Sequence, residues 1–110
     1  MPLFITYASY SVEGKKGLIA KPEDRSKVIG ALIEKSGGRM LGFYMTAGAN
    51  DVVVVSEAPD GDNVAALSLA VGASGTLSKI ETVRAWTGAD FVAVTKQAGG
   101  IASAFTPPGR

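Results

Sequence analysis

The chain has 110 residues, with 11 basic and 10 acidic side chains, a net charge of +1 and neither cysteine nor histidine. That length suits one domain of the common ~100–150-residue size, and a 46% apolar, 19% charged composition supplies a core, so the chain as a whole is not a disordered segment. The missing residue types exclude disulfides, thiolate nucleophiles, imidazole metal ligands, histidine-ligated haem and a Ser-His-Asp triad. The near-neutral charge leaves no basic footprint for nucleic acid.

Leu3 to Tyr10 mixes β-branched, aromatic and small residues and reads as a strand. Ser11 to Lys21, with Gly14, Gly17 and Lys15-Lys16, reads as a polar connecting loop. Pro22, Glu23 and Asp24 suit a helix start, and Val28, Ala31, Leu32 and Lys35 follow at helical spacing until Gly37-Gly38 stops the run. Arg39 to Met45 is a second strand, Ala47 to Asn50 a hairpin loop, and Asp51 to Glu57 a third strand containing four consecutive valines. Pro59-Asp60 opens a second helix with Asp60 as N-cap, striped by Val64, Leu67 and Val71 and ended by Gly72 to Gly75. Leu77 to Trp86 is a fourth strand. Thr87 and Asp90 have capping-box spacing before a last helix that should bury Phe91, Val94 and Ala98. The domain is expected to span residues 1–98, with 99–110 a flexible tail containing glycine and proline.

The order is β-α-β-β-α-β plus a helix: an α+β, ferredoxin-like pattern with a four-stranded antiparallel sheet. The valine run has no polar alternation, so it asks for cover on both faces of the sheet. Two helices cover one face, and a second copy of the chain is the simplest cover for the other, which makes a homodimer the expectation. No apolar run approaches the ~20 residues of a membrane helix, and the start lacks the pattern of a signal peptide. A bacterial-type cytoplasm is the expected location, without a membrane or nucleic-acid partner.

Phe43 to Asp51 resembles the signature of the GYD domain family, named for a Gly-x-Tyr-Asp turn. Further matches, in consistent order over residues 3–96, are Lys21-Pro22 with Arg25, Gly37-Gly38-Arg39, Glu57 to Asp60, and Thr82 to Ala85 before Thr87. At the family's tyrosine position this chain has Asn50, so a role for that phenol does not carry over. The resemblance implies a dimeric α/β barrel and no established general activity.

Candidate ligand-binding residues are Arg84, Trp86, Tyr7, Tyr44, Asn50 and Asp51. Arg84 and Trp86, two apart on a strand, share a face, where a guanidinium and an indole can hold a planar anion or anchor an interface. Tyr7 and Tyr44 are phenols in apolar strands, able to donate a proton to an enolate or to serve as core aromatics. Asn50 and Asp51 form either a polar pocket rim, near Ser9-Tyr10 and Ser78-Lys79, or a hairpin turn with Asn50 left-handed. The glycines make no phosphate loop and the carboxylates no metal cage, so neither cofactor nor metal is expected.

Three functional readings follow. One is a binder of a small aromatic or enolic molecule in a sheet–helix pocket, with cofactor-free catalysis as an extension. Another is a structural or interaction module. The third is a tautomerase using Pro2 as an N-terminal amine base, since Met1-Pro2 before apolar residues resembles the opening of those enzymes.

Overall fold

The computed structural model describes residues 1–109. Its elements in chain order are β1 (Leu3–Tyr10), α1 (Val12–Ala20), α2 (Ser26–Lys35), β2 (Arg39–Met45), β3 (Val52–Glu57), α3 (Gly61–Gly72), β4 (Leu77–Ala85) and α4 (Gly88–Ala104). The strands form one antiparallel sheet in the order β2-β3-β1-β4, the ferredoxin-like arrangement. No helix is long and apolar enough to cross a membrane among the described residues.

Side-chain alternation along paired strands gives the sheet two unlike faces. Thr6 pairs with Val54 and Thr82, and Ala8 with Val52 and Ile80, so these residues share the face beneath the helices. There Ala8, Tyr10, Val52 and Val54 are buried with Ile33 of α2, and Leu18, Ile29, Phe43, Leu67 and Ile80 pack around them. The other face carries Ile5, Tyr7, Val53, Val55 and Val83, and no element of the chain covers it. The valine run is therefore buried at alternate positions only, with Val53 and Val55 half-buried.

The segment from Ser11 to Lys21, expected as a loop, is mostly helix. Its two glycines weaken helical propensity, but Ser11 caps it: the hydroxyl accepts from the Gly14 N–H at 3.1 Å and donates to the Gly75 carbonyl at 2.7 Å. A Cβ on Gly14 would lie 2.3 Å from the Thr76 carbonyl oxygen, so only glycine lets α1 sit this close to the start of β4. The next helix starts at Ser26 rather than Pro22, because Asp24 turns the chain first, its carboxylate accepting from the Ser26 N–H at 2.9 Å and hydroxyl at 2.6 Å.

Caps read from the sequence form at the other two helix starts. Asp60 accepts from the Asn63 N–H at 2.8 Å, and Thr87 from the Asp90 N–H at 3.1 Å. The last helix runs through Gly99-Gly100 to Ala104, past the expected end, because neither glycine takes a positive φ and Ala98 and Ile101 flank them. None of its residues is buried, contrary to the expectation for Phe91, Val94 and Ala98: α4 projects from the domain and stretches the molecule to 61 × 32 × 23 Å.

At the end of α2, Gly37 has φ +96°, and the N–H groups of Gly37 and Gly38 donate to the carbonyls of Glu34 and Ile33 at 3.0 Å each. This is a Schellman cap requiring a left-handed residue. Gly37→Ala should destabilise the fold by about 1–2 kcal/mol, read from the urea midpoint, whereas Gly61→Ala, with open space at the Cβ, should not.

Candidate functional site

Between the sheet and helices α2 and α3 lies a cavity of about 370 Å³. It exists because α2 leans toward β2 and α3 toward β4, leaving the middle of the sheet under-filled. Its walls are apolar: Val28, Ile29 and Leu32 from α2, Val64, Leu67 and Val71 from α3, and Ala8, Val52, Val54 and Ile80 from the strands. The size lies within the ~300–1,000 Å³ range of small-molecule sites.

Polar groups reach this space too, Ser36, Ser56, Glu57 and Asn63 among them. The Thr6 and Thr82 hydroxyls lie 2.9 Å apart across the β1–β4 pairing, and Ser68 of α3 stands 3.5 Å from Thr82. These form a short hydroxyl row in which each oxygen keeps capacity for another hydrogen bond. Arg25 and Tyr10 also line the cavity. The Arg25 guanidinium is paired with Glu23 at 2.8 Å and remains partly exposed.

Burial pushes the Tyr10 phenol above its ordinary value of 10.0, Arg25 opposes this, and Asp51 adds to it. The phenol therefore stays protonated and available as a donor throughout the neutral range. A raised folded-state value stabilises nothing below the ordinary value, and stability falls as pH rises above it, because the unfolded chain ionises first. Denaturation midpoints on either side of pH 10.0 should show this alkaline loss, and Tyr10→Phe should make it shallower.

None of the six residues expected from the sequence lines the cavity. Tyr7 and Tyr44 both pair with Val53, on the sheet face away from the helices, and Tyr44 is 61% exposed. Arg84 and Trp86 do come together, the guanidinium carbon 4.4 Å from the indole centroid. Arg84 also donates to the backbone carbonyls of Leu3, at 3.1 Å, and Ala85, so its donors tie down the edge of β4. Trp86 lies just beyond the strand and meets Phe91 of α4 edge-on, ring centroids 5.5 Å apart. Glu57 pairs with Arg39 at 3.4 Å.

Asn50 and Asp51 lie beside the end of β1, as the ferredoxin-like order predicts. Asp51 accepts from the Tyr10 N–H at 2.9 Å through its carboxylate and donates its own N–H to the Ala8 carbonyl at 2.9 Å. It thus clamps β1 to β3 rather than the hairpin backbone alone. Asn50 does not adopt the expected left-handed conformation, since no residue but glycine has a positive φ among those described. Its side-chain oxygen is buried without a hydrogen-bond partner.

The GYD domain model matches residues 4–95, nearly the whole of the sheet and its helices. The chain belongs to the GYD domain family. No curated protein matches it in sequence. This GYD domain thus carries its hairpin motif at one end of the sheet and its cavity under the helices. The cavity residues Thr6, Thr82 and Ser68 escape sequence reading because single hydroxyls in apolar elements are common. The usable signal was the alternating row Phe4, Thr6, Ala8, Tyr10, in which Thr6 interrupts an apolar face. Among the described residues no three acidic side chains gather into a metal cage.

Proposed function

We propose that this GYD domain binds a small, largely apolar molecule of the aromatic or enolic class in the cavity between the sheet and α2–α3. The observation that carries the reading is the 370 Å³ space itself, with apolar walls and a short hydroxyl row on its sheet side. A flat ring fits between the aliphatic side chains, and a carbonyl or enol oxygen finds donors in Thr6, Thr82 and Ser68. A carboxylate on the same molecule would be drawn to Arg25, and the protonated Tyr10 phenol stands at the cavity as a proton donor. Turnover without a cofactor is the catalytic extension of this reading, with Tyr10 in the donor role.

Screening aromatic and enolic acids by thermal shift or ligand-observed NMR tests it. Ser68→Phe, which fills the cavity from α3, should abolish binding, whereas Arg84→Ala should leave it intact. Arg25→Ala should weaken acids about ten- to a hundredfold, the equivalent of roughly 1.5–3 kcal/mol for a charged hydrogen bond. Hits that bind Ser68→Phe normally but are lost in Arg84→Ala would move the site to the Arg84–Trp86 cluster.

The uncovered sheet face supports self-association as the setting for this site. Ile5, Val53, Val55 and Val83 form an apolar patch across three strands, of the kind that a second sheet covers in sheet-on-sheet packing. Light scattering at micromolar concentration should give at least twice the 11.2 kDa chain mass. Val55→Arg should disrupt that sheet-to-sheet contact and lower the mass.

A further inference from the structure

A second, more polar cleft of about 300 Å³ lies beside the cavity, between α1, the chain leading into α2 and the turn before β4. The two spaces meet, since Tyr10, Arg25, Ser74 and Thr76 line both. Their chemistry differs. Beyond the shared residues the cleft carries Glu13, Gly17 and Leu18 of α1, then Lys21 and Glu23. Glu13 and Glu23 with Lys21 and Arg25 give it two charges of each sign. The Arg25–Glu23 pair stands at the junction, and among the described residues neither Glu13 nor Lys21 has an ion-pair partner.

Gly17 is the sign that this space is kept open. Gly14, three residues earlier on the same face of α1, is required by the close approach of the Thr76 carbonyl. No such contact requires Gly17, where a Cβ would stand in open space. Glycine weakens a helix interior relative to alanine, so packing and propensity both leave this one unexplained, and its bare backbone widens the cleft that it lines. A ligand head with a single charge would meet like and opposite charges together in that cleft, whereas a head with both signs has a complement for each. We propose that the cleft holds the zwitterionic, amino-acid-like head of the same molecule whose apolar body fills the cavity, an inference that rests on the cavity being the binding site. The ligand class is then an aromatic group joined by a short link to one ammonium and one carboxylate. The carboxylate is drawn to Lys21 and Arg25 and the ammonium to Glu13 and Glu23, with the link passing the shared residues Tyr10 and Thr76.

Four anilides with one ring and different heads test this by titration calorimetry. Butyranilide has no charge, glutaranilic acid only the carboxylate, γ-aminobutyranilide only the ammonium, and γ-glutamylanilide both. γ-Glutamylanilide should bind about two- to fivefold more tightly than either singly charged compound, the scale of partly exposed charge contacts. Gly17→Phe, which fills the cleft from outside the cavity, should reduce γ-glutamylanilide to the affinity of butyranilide and leave butyranilide unchanged. Glu13→Gln combined with Lys21→Gln, which keeps side-chain size, should remove most of the same preference, so the result does not hang on the folding of Gly17→Phe. Equal binding of all four, or tightest binding of a singly charged compound, would overturn the zwitterionic head and leave the cavity reading standing. A preference that survives both variants would overturn it too, because the head would then lie elsewhere. If no anilide binds while aromatic or enolic acids do, the head is again overturned; if neither set binds, the cavity reading falls with it.

Discussion

The placement of β1 between β3 and β4 is the constraint from which the other positions follow. Its hydrogen bonds run to both neighbours over nearly its whole length, and the Asp51 carboxylate fixes its end by accepting from the Tyr10 N–H. With that strand in the centre, the register sets which side chains meet. Thr6 faces Thr82 on the helix side, and Tyr7 faces Val53 on the other. A slip of one residue would exchange these two faces entirely. The register therefore determines the cavity floor and the uncovered apolar patch together.

The two faces solve different problems. Beneath the helices, burial of Val52, Val54, Ala8 and Ile33 provides the hydrophobic stabilisation, yet α2 lies toward β2 and α3 toward β4 on that one face, joined at one end where the Asn63 amide donates to the Ser36 carbonyl. The resulting space is lined by side chains able to contact an apolar ligand and by hydroxyls able to orient one. Filling it with a molecule would recover packing that the chain alone does not make. On the open face the same strands leave Ile5, Val53 and Val55 only half-buried.

The helix starts show how far local chemistry reaches. Asp60 and Thr87 cap their helices as their spacing indicates, since a cap depends on residues three apart and little else. Ser11 does the same, but the glycines behind it conceal the helix. Gly14 is there for the approach to Thr76, a contact between residues far apart in sequence. A glycine read locally signals a loop, while the same glycine in a packed structure marks a close approach.

Strand identities, the βαββαβ order, the family and the exclusion of thiol, imidazole and triad chemistry were legible in the sequence, because they rest on composition and short-range periodicity. The cavity was not legible there, since none of the six residues singled out lines it. The position of Asp51 beside the end of β1 follows from the ferredoxin-like order, whereas Arg84 meets Trp86 although the tryptophan stands just beyond β4. Which sheet face Tyr7 and Tyr44 occupy depends on register and on where the helices lie, and that was decided only in three dimensions. The same holds for the cavity. Thr6, Ser68 and Thr82 are distant in sequence and individually unremarkable, and they converge because one strand pairing and one helix position bring their hydroxyls together. Periodicity marks Phe91, Val94 and Ala98 as one stripe of α4, but only the fold shows that Phe91 meets Trp86 and that none of the three is buried.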